Sequence, residues 1–196
     1  MARISLDVPR GPLWRLAEWY SRHRYGAVLD PGRAYGHNTR VAVTYVRLEQ
    51  RVAKWRAADP LLKHLAVMVS AVRIGCSWCV DFGHWEANEL GLPADKVRLA
   101  LDWRESPESF TELERLVMEY AEAMTETPPA VTDDMVTRLL DRLGEAAVVE
   151  ITALVAVENL RSRVNSAFGL TSQGFSDRCA VPLAGRERRG ADDEAG

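Results

Sequence analysis

The chain has 196 residues, 47% of them hydrophobic, and a formal net charge of −3 at pH 7. This length and apolar content predict one globular domain with a substantial core and exclude a disordered chain. The basic residues are scattered, and charges interrupt the best apolar run, so we expect neither a nucleic-acid partner nor a membrane partner. Three cysteines do not suit a secreted disulfide framework, and no signal-peptide pattern is seen, so we expect a cytoplasmic protein.

Helices punctuated by proline, glycine and capping residues are predicted for the N-terminal half. A short amphipathic helix is predicted over 13–23, and a second helix over 39–58. Asp59 and Pro60 are typical of a helix start, because Asp accepts from free N–H groups and Pro fits the first turn. The segment 61–74 is apolar nearly all round, so it predicts a buried helix.

A helix break at Gly75 separates this segment from the next, which is predicted to be helical from Cys76 to about Leu90. Three further helices are predicted to begin at Ser106, Thr132 and Glu145. We find no alternating pattern typical of strands and no repeat. The sequence therefore predicts an all-α fold, with a single helical domain over 1–184 and a disordered, charged tail over 185–196.

The most informative motif is the sequence Cys-Ser-Trp-Cys that begins at Cys76 and ends at Cys79. Two cysteines three residues apart lie on one side of a helix, close enough to form a disulfide and reopen it, which indicates redox or metal chemistry. At a helix N-terminus, Cys76 faces free N–H groups and the positive end of the helix dipole, which favour its thiolate. We expect Cys76 to be the more reactive thiol and Cys79 its resolving partner, or the reverse. Inert packing of two small side chains is the alternative.

The surroundings of this motif resemble a known family. The run 61–90, with its cysteine pair, and the later stretches 158–165 and 169–175 are similar to the alkylhydroperoxidase D-like, carboxymuconolactone decarboxylase superfamily. The resemblance implies an all-helical fold that assembles as a homo-oligomer, a trimer or hexamer. It also implies that the cysteine pair reduces organic hydroperoxides and is re-reduced by a dithiol partner of the lipoyl or thioredoxin type. Decarboxylase members lack the cysteine pair, so this chain is nearer the redox branch.

The chain departs from the family pattern at the residues that move protons. Redox members have a Glu twelve residues before the first cysteine, where this chain has His64, and a His four residues after the second, where it has Gly83. His84 follows one residue late and lies about 140° round a regular helix from Cys79. Glu86 returns to the Cys79 side and is a possible substitute carboxylate. A zinc site would need four ligands, and the two cysteines with the two histidines are the only obvious set.

We therefore predict a thiol-dependent hydroperoxide reductase with no bound cofactor or metal ion. Its catalytic residues are predicted to be Cys76, Cys79, His84, His64 and Glu86. The alternatives are a structural core histidine for His64, a solvated helix residue for His84 and a surface carboxylate for Glu86. The alternative function is a non-redox family member, in which the proton relay is lost. Such a protein would act on a lactone or a small acid, or serve as a helical oligomeric binding module.

Several other polar residues are assigned structural roles. Glu150 stands in an apolar helix, and a buried carboxylate there is expected to pair with Arg161 or Arg163. Asn165 matches the resemblance but is interpreted as a packing or interface residue, and Trp78 as a shield of the site or an interface residue. Cys179 is expected to be an ordinary thiol without a role.

Overall fold

The computed structural model describes residues 2–8 and 11–179, and the tail predicted over 185–196 lies outside them. The described residues form nine α-helices and three short 3₁₀ segments and contain no strand, which confirms the all-α prediction. Within this part of the chain, no helix has the length and apolar character needed to cross a membrane. The helices are α1 (Pro12–Tyr25), α2 (Asp30–Gly36), α3 (Thr39–Val52), α4 (Pro60–Ile74), α5 (Ser77–Glu89), α6 (Ala94–Leu99), α7 (Glu112–Thr125), α8 (Asp133–Leu143) and α9 (Glu145–Ala167).

Helix α4 is the centre of the fold. It packs against α5, α7 and α9, and apolar side chains from α4, α7 and α9 form the main core. Leu65, Val117 and Val155 are fully buried there. The all-round apolar sequence of α4 thus has the expected consequence, since most of this helix is buried. The side chain of Asp59 caps its first turn, as predicted, by accepting from two backbone N–H groups.

Two predicted helix boundaries are wrong. The helix predicted over 39–58 ends at Val52, after which the chain turns towards α4. The helix expected to start at Ser106 begins six residues later as α7, because Thr111 supplies a better start. The Thr111 hydroxyl accepts from the N–H of Glu114, and the Glu114 carboxylate accepts from the N–H of Thr111 in a capping box. The Ser-Pro pair at 106–107 is typical of a helix start, but it lacks the two reciprocal hydrogen bonds that stabilise the start at Thr111.

Glu150 is buried and paired, but not with the arginines of α9 that the sequence suggested. Its Oε1 lies 2.7 Å from the ammonium group of Lys63 on α4, and the carboxylate accepts from the N–H groups of Ala57 and Ala58. Burial raises the pKa of Glu150, but Lys63 and the two N–H groups outweigh this effect and leave the pKa lowered. The pair fastens α9 to α4 and to the turn before it.

Two glycines determine where α5 begins and how closely it packs against α4. Gly75 ends α4 in the left-handed conformation, with φ of 80°, which lets the chain turn sharply so that Cys76 caps the next helix. Gly83 faces α4, where an added Cβ would lie 2.6 Å from the Sδ atom of Met68. Helix α5 continues unbroken through Gly83, so the direction of each of its side chains follows regular helical spacing.

Asp81 fastens the C-terminal loop to α5. Its carboxylate is 2% exposed and accepts from the N–H groups of Gln173, Phe175 and Ser176 at 2.8–3.0 Å. Burial raises the pKa of Asp81, but the N–H groups of Ser176 and Phe175 outweigh burial and leave this pKa lowered. The loop is thereby held against the aromatic side chains of α5.

The charge of Asp81 makes this attachment dependent on pH. A carboxyl group with a lowered folded-state pKa contributes stability above its unfolded pKa of about 4 and loses it as pH falls through the folded value. We expect Asp81→Asn to lower the free energy of unfolding by about 2 kcal/mol at pH 7 and by much less near about pH 2. Urea unfolding at both pH values measures this. Asp95→Asn, at an exposed position of α6, is the control, and an equal loss at both pH values for Asp81→Asn would contradict the role given to its charge.

Candidate active site

Cys76 and Cys79 form a disulfide at the start of α5, with their Cα atoms 5.3 Å apart. Cys76 is the N-cap residue, and its Sγ accepts from the N–H of Cys79 at 3.2 Å. The contact between the free N-terminus of the helix and this sulfur is the one that the sequence predicts. Both residues are buried, at 2% and 6% exposure. The structure thus shows the oxidised state of a dithiol pair.

Side chains of α9 contact the two sulfur atoms. The Ser162 hydroxyl oxygen lies 3.3 Å from the Sγ of Cys79, within hydrogen-bond distance. The Asn165 amide group donates to the Sγ of Cys79 at 3.3 Å and, more weakly, to that of Cys76 at 3.8 Å. Both α9 residues are buried. Hydrogen bonds of this kind favour a thiolate over a thiol, so α9 supplies the polar half of the site.

A buried carboxyl group lies behind Ser162. The Oε1 of Glu158 is 2.6 Å from the Ser162 hydroxyl oxygen, and Glu158 is only 2% exposed. Its other oxygen accepts from Arg161 at 3.3 Å. Burial raises the pKa of Glu158 to about 7, although Arg161 and the Ser162 hydrogen bond act in the opposite direction. A carboxyl group with this pKa exchanges its proton near neutral pH, which suits it to acid–base work.

Arg161 is held mainly by a different carboxylate. Its guanidinium group makes two hydrogen bonds to Glu49 of α3, at 2.9 and 2.5 Å. Burial lowers the pKa of Arg161, but the paired carboxylates, Glu49 first, outweigh burial and raise it. Glu86 of α5 also acts electrostatically on this guanidinium group. Arg161 is partly buried, and carboxylates from three helices act on its charge.

Aromatic side chains surround the pair on the α5 side. Trp78 stacks on Phe82 with ring centroids 4.9 Å apart. Phe82 and Phe175 form an edge-to-face pair with ring centroids 5.3 Å apart. The Trp78 Nε1–H donates to the Oε1 of Gln173 at 2.8 Å, which fixes the indole ring. Trp78 and Phe82 pack in one cluster with the two cysteines, whose sulfur atoms contact polar groups of α9.

The structure brings the predicted histidines together, but in a buried setting. The His64 Nε2 lies 2.9 Å from the carbonyl oxygen of Gly83, and because a carbonyl only accepts, this nitrogen carries a proton and donates. Burial, together with the nearby His84, lowers the pKa of His64 to about 4, although the hydrogen bond to Gly83 acts in the opposite direction. His84 is 1% exposed, so the interpretation of it as a solvated residue is wrong. Glu86 is exposed. The catalytic roles of these three residues stay predictions.

The third cysteine takes no part in the disulfide. Cys179 is a free, buried thiol that packs with Trp85 and Phe175, and burial raises its thiol pKa. Across residues 2–8 and 11–179, no three side chains of the His, Cys, Asp or Glu type are grouped so that they could hold a metal ion.

Comparison with known proteins finds relatives of similar length. YnjA of Escherichia coli K12, an uncharacterised protein, is 36% identical over 168 residues, which cover 84% of this chain and 88% of YnjA. A solved structure of an Agrobacterium tumefaciens protein of unknown function, a candidate AhpD antioxidant defence protein, matches with a TM-score of 0.61 at 26% identity. The match covers 66% of this chain and 88% of that protein. The debrominase Bmp8, as a cysteine-to-alanine variant with 2,3,4-tribromopyrrole, has a TM-score of 0.76 at 20% identity over 89% of this chain and 95% of its own. No protein-family model matches.

The chain belongs to the alkylhydroperoxidase D-like, carboxymuconolactone decarboxylase superfamily. The resemblance stated from the cysteine motif is therefore confirmed, and so is the alkylhydroperoxidase D-like fold with its cysteine pair near the start of a central helix. The departures from the redox pattern are equally plain in the structure. The position of the family Glu holds the buried His64, and the position of the family His holds Gly83.

Sequence reasoning missed the residues of α9 that contact the pair. It gave Glu158 and Ser162 no role and assigned Asn165 to packing. A signal was present, because the buried face of α9 is apolar at Ile151 and Val155 and then becomes polar at the same helical spacing. Polar residues that continue an apolar stripe indicate a buried polar site.

The amide of Asn165 is expected to set the acidity of the thiols. A hydrogen bond to a charged group is worth about 1.5–3 kcal/mol, which corresponds to about 1–2 pKa units. In the reduced protein, the more acidic thiol of the Cys76/Cys79 pair is the one affected. We expect Asn165→Ala to raise its pKa by about one unit, measured by thiolate ultraviolet absorbance during a pH titration. Asn159→Ala is a matched control, because that amide on the same helix donates to Thr125 and Val155 instead. Identical titrations for the two variants would contradict the role of Asn165.

Proposed function

We propose that this protein is a thiol-dependent reductase that reduces organic hydroperoxides with the Cys76–Cys79 pair. The observation that carries the proposal is the disulfide itself, which lies at a helix N-terminus and within hydrogen-bond distance of Ser162 and Asn165. Membership of the alkylhydroperoxidase D-like superfamily supports it.

The proposed reaction uses two thiols and no bound cofactor. One thiolate attacks a peroxide oxygen and forms an S–O bond as the O–O bond breaks, and the departing alkoxide takes up a proton to become an alcohol. The second thiol then attacks the sulfenic sulfur, which releases water and closes the disulfide. One hydroperoxide and two thiols thus give one alcohol, one water and one disulfide.

A dithiol of the lipoyl or thioredoxin type is proposed to reopen the disulfide by thiol–disulfide exchange. In this exchange a thiolate of the reductant attacks one sulfur of the pair, and its second thiol completes the transfer. Both sulfurs are almost completely buried, beside the stacked rings of Trp78 and Phe82. A slender lipoyl group would reach them with less displacement of these rings than a globular partner.

Self-association is a further part of the proposal. No residue of α1 is buried, although this helix carries large apolar side chains. The exposed side chains are Leu13, Leu16, Trp19 and Tyr20. An apolar helix face of this kind is typical of a surface that is covered by another chain, which supports the proposed homo-oligomer.

Reductive removal of a halogen is a second candidate function. The stacked rings of Trp78 and Phe82, which pack with the pair, suit a flat, halogenated ring, and Bmp8, which shares this fold, is a debrominase. A carbon–bromine bond and two thiols would give a carbon–hydrogen bond, bromide, a proton and the same disulfide. Release of bromide from a brominated pyrrole, without reaction of hydroperoxides, would favour this candidate.

Thiol titration tests the hydroperoxide reaction directly. The fully reduced protein, freed of reductant, is treated with an organic hydroperoxide, and free thiols are counted over time. We expect rapid loss of two of its three thiols, reversed by a dithiol. Cys76→Ser and Cys79→Ser should abolish catalytic turnover, because neither can close the disulfide.

Cys179→Ser is the matched control, since this cysteine is a free, buried thiol that packs with Trp85 and Phe175 in a different cluster from the pair. This variant should retain full turnover. Persistence of all thiols in the parent protein, or undiminished turnover in both Cys76→Ser and Cys79→Ser, would contradict the proposed function.

A further inference from the structure

Three groups form a continuous hydrogen-bonded path from sulfur to a buried carboxyl group. The Cys79 Sγ lies 3.3 Å from the Ser162 hydroxyl oxygen, which lies 2.6 Å from the Oε1 of Glu158. A serine hydroxyl has one proton, so it cannot donate in both directions at once. With Glu158 ionised, the hydroxyl group donates to the carboxylate and can accept from a thiol. With Glu158 protonated, the acid donates to the hydroxyl oxygen, and the hydroxyl group donates to the sulfur.

These two arrangements differ by the transfer of one proton between sulfur and carboxylate. We propose that Ser162 and Glu158 are the proton relay of Cys79, with Ser162 at the sulfur and Glu158 as the terminal proton acceptor that acts through it. The assignment rests on the proposed function, and it names residues that replace the altered Glu and His positions of the redox pattern.

Each step of the relay balances. The Cys79 thiol gives its proton to the Ser162 oxygen while the Ser162 proton passes to the Glu158 carboxylate, which leaves a thiolate and a carboxylic acid. The thiolate attacks the hydroperoxide, the S–O bond forms and the O–O bond breaks. The alkoxide takes a proton back from the acid along the same path, which restores the carboxylate and the hydroxyl group.

The charges around Glu158 leave its protonated and ionised forms close in free energy near neutral pH. Arg161 from α9 makes a single, longer hydrogen bond to Glu158, because Glu49 from α3 already holds its guanidinium group through two. Glu86 from α5 also interacts electrostatically with the Arg161 guanidinium group. Arg161 therefore does not force Glu158 into its ionised form, and burial raises the Glu158 pKa to about 7.

The sequence-predicted histidines are less suited to this role. The His64 Nε2–H is already donated to the Gly83 carbonyl group, and burial lowers the pKa of His64 to about 4. His84 is five residues after Cys79 on an unbroken helix, about 140° round from it. Ser162 is the side chain that joins Cys79 to a carboxyl group.

The relay is tested by the pH dependence of Cys79 reactivity, which does not require hydroperoxide turnover. Reduced full-length protein is alkylated with iodoacetamide over a range of pH, and modification of Cys79 is followed by fragment mass spectrometry. In the parent we expect the rate to rise through an inflection near pH 7, where Glu158 ionises. Ser162→Ala and the isosteric Glu158→Gln should lose this inflection and react about tenfold more slowly at neutral pH.

Two controls separate the relay from a loss of stability. Ser70→Ala makes the same change at a fully buried serine of α4 that donates only to the Ala66 carbonyl group. Glu150→Gln makes the same change at a carboxylate of α9 that stabilises the fold through Lys63. Both should keep the parent profile. Thermal unfolding of each variant confirms that it is folded.

The rate of hydroperoxide reduction is measured in parallel, and here Ser162→Ala and Glu158→Gln should lose about 100-fold or more. If the parent reduces no hydroperoxide but the two variants lose the alkylation inflection, the relay stands and the proposed function fails. If the parent turns over and folded variants of both residues retain its alkylation profile, the relay is overturned and the function stands.

Discussion

The contact between the first turn of α5 and the buried face of α9 is the interaction around which the site is arranged. It brings Cys79 against Ser162 and Asn165, which are more than eighty residues away along the chain. The contact depends on α4, which packs against both helices, and on Gly75, whose left-handed conformation turns the chain so that α5 starts beside α9. Thus the fold presents two sulfurs and a set of hydrogen-bonding groups to one another.

A buried carboxyl group next to such a site carries an energetic cost that the surrounding charges must offset. For Glu158 this cost is reduced in two ways: its carboxyl group is partly protonated near neutral pH, and Arg161 donates a hydrogen bond to it. Glu150 lies earlier on the same helix and is stabilised differently. Lys63 and two backbone N–H groups lower its pKa, so it stays charged. One helix thus contains a carboxylate that stabilises the fold and a carboxyl group that is suited to exchange a proton.

Local patterns in the sequence were sufficient for the elements that depend on neighbouring residues. The caps at Asp59 and Thr132, the buried α4 and the cysteine pair at the start of α5 all follow from residues a few positions apart. The partner of Glu150 and the burial of His84 were not predictable in this way, because both depend on which helices meet. Glu158 and Ser162 were missed for the same reason, although the polar continuation of the apolar stripe on α9 marked them as unusual.

A single-turnover experiment tests the disulfide cycle most directly. Fully reduced protein is mixed anaerobically with less than one equivalent of an organic hydroperoxide, and the alcohol formed is quantified beside the disulfide located by peptide mass spectrometry. One alcohol for each Cys76–Cys79 disulfide is the result that the proposed function predicts. Disulfide formation that involves Cys179, or alcohol formed without loss of the Cys76 and Cys79 thiols, would contradict it.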